Sequence, residues 1–536
     1  MNSITIKNHD SKKLFIIIFS LSFIIFLFTS DAHRYSLDEA VGQEMAYRLT
    51  ILEPDSSYIQ GESKIFFNIP LMNPHNVGSL CSNGITCYPT SFFYSATQIP
   101  FIAANHFFQI ITSDTLTFST NDFSDQHYIY WRNSEKNDLI FMELFYGPFF
   151  SALSTAIFFL ICLEYKFTKK TSVTLSLLFS FTTILWAYSN TSLNVVPTLS
   201  FILLGYLFYK KSFTNHELKF LIFSSGFLGF SFLIRDSSIL FIIPIFSIIL
   251  IDVLRKKIKF FSLVCFMIPL FFSYFLSRYI SSLKYINSDD VVITNIHEVS
   301  SVAQTFIPDI TSLTPAVGLL FSPGLGLFVF SPILLTIFFT FPDFFRKNKH
   351  DCILFSSIFI ISLFWFSHIG ITWHGLIGWG PRYLLMIIPF LLIPLGSSLE
   401  KRNKKFMLIL IIVLAITGIF FNLSYVIQDN PWFVWGQPGQ SSGLYGLGIP
   451  NSICDWNCQK EESNMYINNL TIWTFQYSQL TQSILLMFQG LQHDIYLLHL
   501  FGPQIYWPSL VFSTSFFIYL LWRVFKIKPN RESIKL

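Results

Sequence analysis

Two adjacent carboxylates, Asp38 and Glu39, follow Arg34 just beyond the first apolar run of the chain. A carboxylate pair at a membrane surface is costly unless it is paired or functional. One member could take the proton from an acceptor hydroxyl or amine as general base. The spacing of the next residues, AVGQEMAYRL, predicts a short helix, so Asp38 would equally serve as its cap with acid in the first turn. Arg235 and Asp236 stand between two apolar runs. A guanidinium there can hold a phosphate through paired hydrogen bonds, or simply pair with its neighbour. Residues 373–383, WHGLIGWGPRY, gather Trp373, His374, Trp379, Arg382 and Tyr383. Aromatic faces pack on sugar CH groups and an arginine neutralises phosphate, so the stretch suits a sugar phosphate. Trp and Tyr also collect at membrane interfaces for their own sake, and a lone histidine such as His374 is as readily a packing residue. Residues 321–332, FSPGLGLFVFSP, interrupt a helix at Pro323, Gly324 and Gly326. Irregular backbone at membrane depth is tolerated where protein or a wet cavity covers it, which predicts a cavity wall or a plain kink.

The elements that must position these groups are apolar helices. Of 536 residues, 52% are hydrophobic, 18% aromatic and only 12% charged. A soluble domain carries about 25% charged residues. The composition therefore excludes a disordered chain, a nucleic-acid binder and an ordinary cytosolic enzyme, and points to an integral membrane protein. A spanning helix needs about 20 mostly apolar residues. Candidate runs lie near 14–30, 140–163, 172–189, 195–209, 219–235, 237–253, 260–278, 313–341, 352–369, 383–398, 406–425 and 506–525. The run 14–30 follows Lys12 and Lys13, and reads as a first span rather than a cleaved leader. With the N-terminus inside, seven Lys/Arg clusters fall on alternate connections and hold 25 of the 35 basic residues. They centre on Lys7, Lys166, Lys210, Arg255, Arg346, Lys401 and Arg523. This predicts about twelve spans with both termini cytoplasmic.

Three long segments then face outward: 31–139, 279–312 and 426–505. The first contains 91–112, apolar but interrupted by polar residues, which reads as an amphipathic helix lying on the membrane. The expected organisation is a transmembrane module over 1–425, an extracytoplasmic loop over 426–505, and a last helix with a cytoplasmic tail over 506–536. Cys162, Cys265 and Cys352 fall in or beside spans as packing residues. Cys81 with Cys87, and Cys454 with Cys458, are candidate local disulfides in an oxidising compartment. The second pair also fits a metal-ligand spacing, but no histidine partners accompany it. Asn190 and Asn469 begin N-x-Ser/Thr sequons of the kind that arise by chance in an Asn- and Ser-rich chain. No internal repeat is visible, which counts against a transporter built from two related halves.

Taken in order, these motifs resemble polytopic glycosyltransferases of the GT-C fold. The likeness is to the family 39 group of protein O-mannosyltransferases and aminoarabinose transferases, and especially to prokaryotic members. The residues that carry it are Asp38-Glu39, Cys87-Tyr88-Pro89-Thr90, Trp186-Ala187-Tyr188-Ser189, Arg235, Ser322-Pro323-Gly324 with Ser331-Pro332, and Trp379-Gly380-Pro381-Arg382-Tyr383. The resemblance implies an all-α membrane protein whose extracytoplasmic loops carry short amphipathic helices. It implies transfer of a sugar from a polyprenyl-phosphate donor to an outward-facing acceptor, inverting and without metal or other cofactor, in a plasma membrane. By position Asp38 matches the general base, with Glu39 beside it. Arg235 and Arg382 become candidates for the donor phosphate. Arg34, Tyr88, Trp186, Tyr188, His374, Trp379 and Tyr383 become candidates for the sugar and acceptor pocket. The acceptor, whether protein, lipid or polysaccharide, is left open. The long loop after 426 has no counterpart in the resemblance. The competing reading is a transporter or flippase for a lipid-linked glycan.

Overall fold

The computed structural model describes residues 2–32, 39, 42–43, 46, 79–81, 85–87, 91–112, 140–215, 217–283, 313–369, 373, 375, 378–401, 405–428, 471–476, 478–488 and 495–526. Apart from one two-stranded hairpin, their regular structure is helical. Among the described residues, eight helices are long and apolar enough to cross a membrane, which makes this a multi-pass membrane protein. They cover Asp10–Phe28, Phe141–Glu164, Asp236–Leu254, Phe260–Ile280, Lys349–Ser367, Arg382–Leu399, Lys405–Val426 and Pro503–Lys526.

The other four apolar runs are also helical, and their departures are local. The helix Leu218–Ile234 has 17 residues, at the short end of the range for a span. The helix Val195–Asn215 carries two lysines and a polar tail in its last turns. The run 172–189 stops early: after the helix Lys169–Phe181, the Thr182 and Thr183 hydroxyls donate back to Leu178 O and Phe179 O, each at 2.6 Å. Hydroxyls that bond their own turn compete with helix continuation. The run 313–341 is broken into Thr314–Phe321, a turn at 322–326, Leu327–Phe330 and the tight turns of Pro332–Thr336 before Ile337–Lys347 resumes, as its Pro and Gly residues predict. The segment 91–112 forms the helix Phe92–Thr112. It docks through Thr97 on Tyr146, at 2.6 Å between hydroxyls, and Asn105 accepts from Phe141 N at 3.0 Å.

The basic connections meet one another. Lys169 pairs with Asp10 at 2.7 Å, Lys401 with Asp343 at 2.8 Å, and Lys210 with Asp351 at 2.8 Å. Asp252 takes Lys257 at 3.3 Å and His350 at 3.2 Å. Glu400 caps the backbone N–H of Thr168 at 2.8 Å. Segments that alternate along the sequence therefore gather at one end of the bundle, as the charge pattern requires. Lys210 and Asp351 are mostly buried there, and Lys210 also lies 4.5 Å from the Tyr165 ring centroid. Breaking a buried ion pair strands its partner. Asp351→Ala should cost roughly 3–5 kcal/mol, read as lost thermal stability in detergent. The double change Lys210→Met with Asp351→Leu should recover most of it.

Buried hydroxyls knit the helices within the bundle. Ser154 and Ser200 meet at 2.8 Å, and Thr155 and Ser180 at 2.7 Å. Such pairs let helices approach closely in an apolar medium, where no hydrophobic drive draws them together.

Candidate active site

The opposite end of the bundle is organised by the loop 189–194, SNTSLN. It leaves a single turn of helix, Leu185–Tyr188, whose entry is fixed by Ser331 Oγ accepting from Ile184 N at 3.1 Å. The turn and loop tie three remote segments together. Trp186 Nε1 donates to Thr29 Oγ1 at 3.1 Å, and Asn190 Nδ2 donates to Thr29 O at 2.9 Å, so the end of the first spanning helix is held. Ser192 N donates to Glu39 Oε1 at 2.7 Å. Gln43 Nε2 donates to Ser192 Oγ at 2.9 Å, and the Tyr94 hydroxyl donates to Ser192 O. Asn194 Oδ1 accepts from Arg235 Nη1 at 2.8 Å, while Arg235 Nε donates to Ser237 Oγ at 2.9 Å. Hydrogen bonds of an ionised group to the backbone are among the stronger ones. The loop thus fixes a carboxylate on one side and a guanidinium on the other.

Residues 378–383 face this loop. Gly380 adopts φ +63, a conformation glycine takes without cost, and a side chain there would strike the Phe330 ring. The turn delivers Arg382 and Tyr383 together. Both guanidiniums converge on one ring: Arg382 Cζ lies 5.2 Å and Arg235 Cζ 5.6 Å from the Tyr383 centroid. Tyr383 is held in place by stacking on Phe366, with centroids 5.0 Å apart and planes 11° apart. Tyr188 is 1% exposed. A Cβ at Gly378 would sit 2.6 Å from its hydroxyl and 3.3 Å from Arg382 Cδ, so hydroxyl and guanidinium stem share that glycine as a neighbour. Arg382, Tyr383, Arg235 and Glu39 are all close enough to act electrostatically on Tyr188.

A third wall comes from the broken helix. Gly324 N donates to Ile472 O at 3.0 Å, and Gly326 N to Ser322 O at 2.8 Å. A side chain at Gly324 would collide with the backbone at Thr471. Trp373 and Trp473 both close over Gly318. Part of the segment 426–505 therefore packs against this wall, and Gln428 Nε2 donates to Ser483 O at 2.8 Å.

Of the residues singled out from sequence, Glu39, Tyr188, Arg235, Arg382 and Tyr383 come together. Trp186 sits at the rim of the group, its indole N–H committed to Thr29. Trp379 is 1% exposed: its Nε1 donates to Asn422 Oδ1 at 3.1 Å, and its ring packs on Tyr425 and Phe330 with centroids 4.4 and 4.7 Å away. Arg34, Asp38, Tyr88, His374, Cys454, Cys458 and Asn469 lie outside the described residues. Cys81 and Cys87 belong to the hairpin of strands Ser79–Cys81 and Ile85–Cys87, whose register pairs Cys81 with Ile85 and Cys87 with Ser79. Cys162, Cys265 and Cys352 are buried thiols. Asn190 is 3% exposed and bonded to Thr29, so its sequon is not open to modification in the folded chain. Sequence reasoning missed Gln43, Tyr94, Ser192 and Asn194. For the last two the available signal was five polar residues within SNTSLN between two apolar runs, too many for a connection that need only turn.

No protein-family model matches the chain, and no curated protein matches it in sequence. Among solved structures it is similar to the crystal structure of ArnT from Cupriavidus metallidurans bound to undecaprenyl phosphate, with 11% identity and a TM-score of 0.47 over 95% of this chain and 75% of that one.

Proposed function

We propose that this chain is a GT-C-type membrane glycosyltransferase that passes a sugar from a polyprenyl-phosphate donor to an acceptor on the extracytoplasmic face. The observation that carries this reading is the meeting of Arg235 and Arg382 on Tyr383, beside the Glu39 segment, at the end of the bundle away from the basic clusters. Two guanidiniums supply the charge that a lipid phosphate needs as it departs. The Asp38 carboxylate takes the proton of the attacking acceptor group. The anomeric carbon's bond to phosphate oxygen breaks, its electron pair leaving with the lipid phosphate, as the bond to the acceptor forms on the opposite face. The sugar is therefore inverted in one step. Both termini lie in the cytoplasm of a cell whose plasma membrane holds the chain.

The transporter reading needs ionisable residues near the bilayer centre. In the eight spanning helices, the described Asp, Glu, Lys and Arg residues all stand at the ends. The deciding experiment supplies purified protein in nanodiscs with radiolabelled polyprenyl-phosphate sugars and envelope extract. Label should appear in an extracted acceptor with release of polyprenyl phosphate. Movement of intact donor between leaflets with no release would replace this reading by the transporter.

A further inference from the structure

The Tyr188 hydroxyl is buried and has no hydrogen-bond partner among the described residues. A buried hydroxyl left unmet is costly, and a native fold meets it with a water, an ion, a ligand or a functional partner. Its surroundings indicate the ligand. The hydroxyl and the Arg382 stem pack on the same glycine, Gly378. Arg382 and Arg235 both approach the neighbouring Tyr383 ring. A neutral hydroxyl donor beside the Arg382 stem, within electrostatic reach of both guanidiniums, suits an anion with several acceptor oxygens, as a phosphoryl group has.

We infer that Tyr188 is a ligand of the transferred sugar's phosphate, donating a hydrogen bond to the oxygen that leaves with the lipid, between Arg235 and Arg382. This rests on the lipid-phosphate donor proposed above. The donor is a phosphodiester with one negative charge, and the departing lipid phosphate is a monoester that gains a second. A donor already in position strengthens as that charge develops and needs no reorganisation. Tyr188 therefore touches the reacting group, while Tyr383 holds the two arginines around it.

The test is Tyr188→Phe, which removes one oxygen and keeps the ring. Because the lost hydroxyl has no partner, the unliganded variant should melt at or above the wild-type temperature. Binding to protein in nanodiscs is measured with three probes: a polyprenyl phosphate, the matching polyprenol and inorganic phosphate. The variant should bind polyprenyl phosphate about tenfold to a hundredfold more weakly, with polyprenol binding unchanged. Transfer should lose about 10²-fold or more in kcat, exceeding any change in donor KM. A parallel loss of inorganic phosphate binding supports the contact and assigns it to the phosphoryl group alone. Loss confined to the lipid probe supports it with the chain required for docking. In a protein carrying 3-fluorotyrosine at 188, the fluorine resonance should move on adding polyprenyl phosphate and not polyprenol. Wild-type binding and kcat in Tyr188→Phe, or equal weakening toward polyprenol, would overturn the inference while leaving the arginines' role intact. A wild-type protein that does not distinguish polyprenyl phosphate from polyprenol would instead remove the donor assignment on which it stands.

Discussion

Asp38→Asn is expected to leave a folded, membrane-inserted protein whose sugar transfer is slower by roughly 10²- to 10⁴-fold, the range for loss of a positioned general base. The expectation follows from the division of work between two adjacent carboxylates. Glu39 is fully buried, and its Oε1 already accepts from the backbone N–H and hydroxyl of Ser192. It is the anchor that fixes this segment against the loop 189–194. A carboxylate so engaged is poorly placed to collect a proton, and the base role is therefore proposed for Asp38. Glu39→Gln keeps an oxygen that can accept from Ser192 N, so it should lower transfer far less than Asp38→Asn and show its main effect as lost thermal stability. The measurement pairs initial rates on a lipid-linked sugar with melting curves for both variants. If the ranking reverses, with Glu39→Gln inactive yet stable and Asp38→Asn active, the two carboxylates exchange roles.

The large-scale architecture was legible because it obeys strong local rules. Each basic cluster marks an end of a helix, and charge cannot be left in hydrocarbon, so alternate connections had to share one face. The ion pairs Lys169–Asp10, Lys210–Asp351 and Lys401–Asp343 are the contacts that follow. The break in 313–341 was legible for the same reason: Pro323, Gly324 and Gly326 cannot continue a helix cheaply. The site was legible only in part. Arginines near an apolar edge are few, so Arg235 and Arg382 stood out. Trp379 looked like either an interface or a sugar-binding aromatic, because a ring packed on Tyr425 and Phe330 has the same composition as a ring facing a ligand. Ser192 and Asn194 were marked only by the polarity of their loop. Their importance lies in which remote groups they reach, and Glu39 and Arg235 stand far from them in sequence. Serine and asparagine are also ordinary loop residues, so their type did not say which groups they hold.

Arg235→Ala and Arg382→Ala should each weaken polyprenyl-phosphate binding by about tenfold to a hundredfold, the span of a charge-assisted hydrogen bond, with a larger fall in kcat/KM. The larger kinetic effect follows from charge: the departing phosphate carries more negative charge than the bound donor, so a missing cation costs more in the transition state. The arginines are not equivalent. Arg235 is held by Asn194 Oδ1 and Ser237 Oγ, so Asn194→Ala should reproduce part of its loss without removing charge. Arg382 is packed closely by its turn, since a Cβ at Gly375 would lie 3.2 Å from its Cγ and 3.3 Å from its Nε. Lysine keeps the charge but not the planar fork, so Arg382→Lys should recover only part of the binding. Both arginines lie against Tyr383, and on the proposed reading they hold one anion, so their effects should couple rather than add. Removing the second arginine after the first should cost less than removing it alone. Strict additivity in that cycle, measured by binding of polyprenyl phosphate, would mean that the two guanidiniums serve separate ligands and that no common phosphate lies between them.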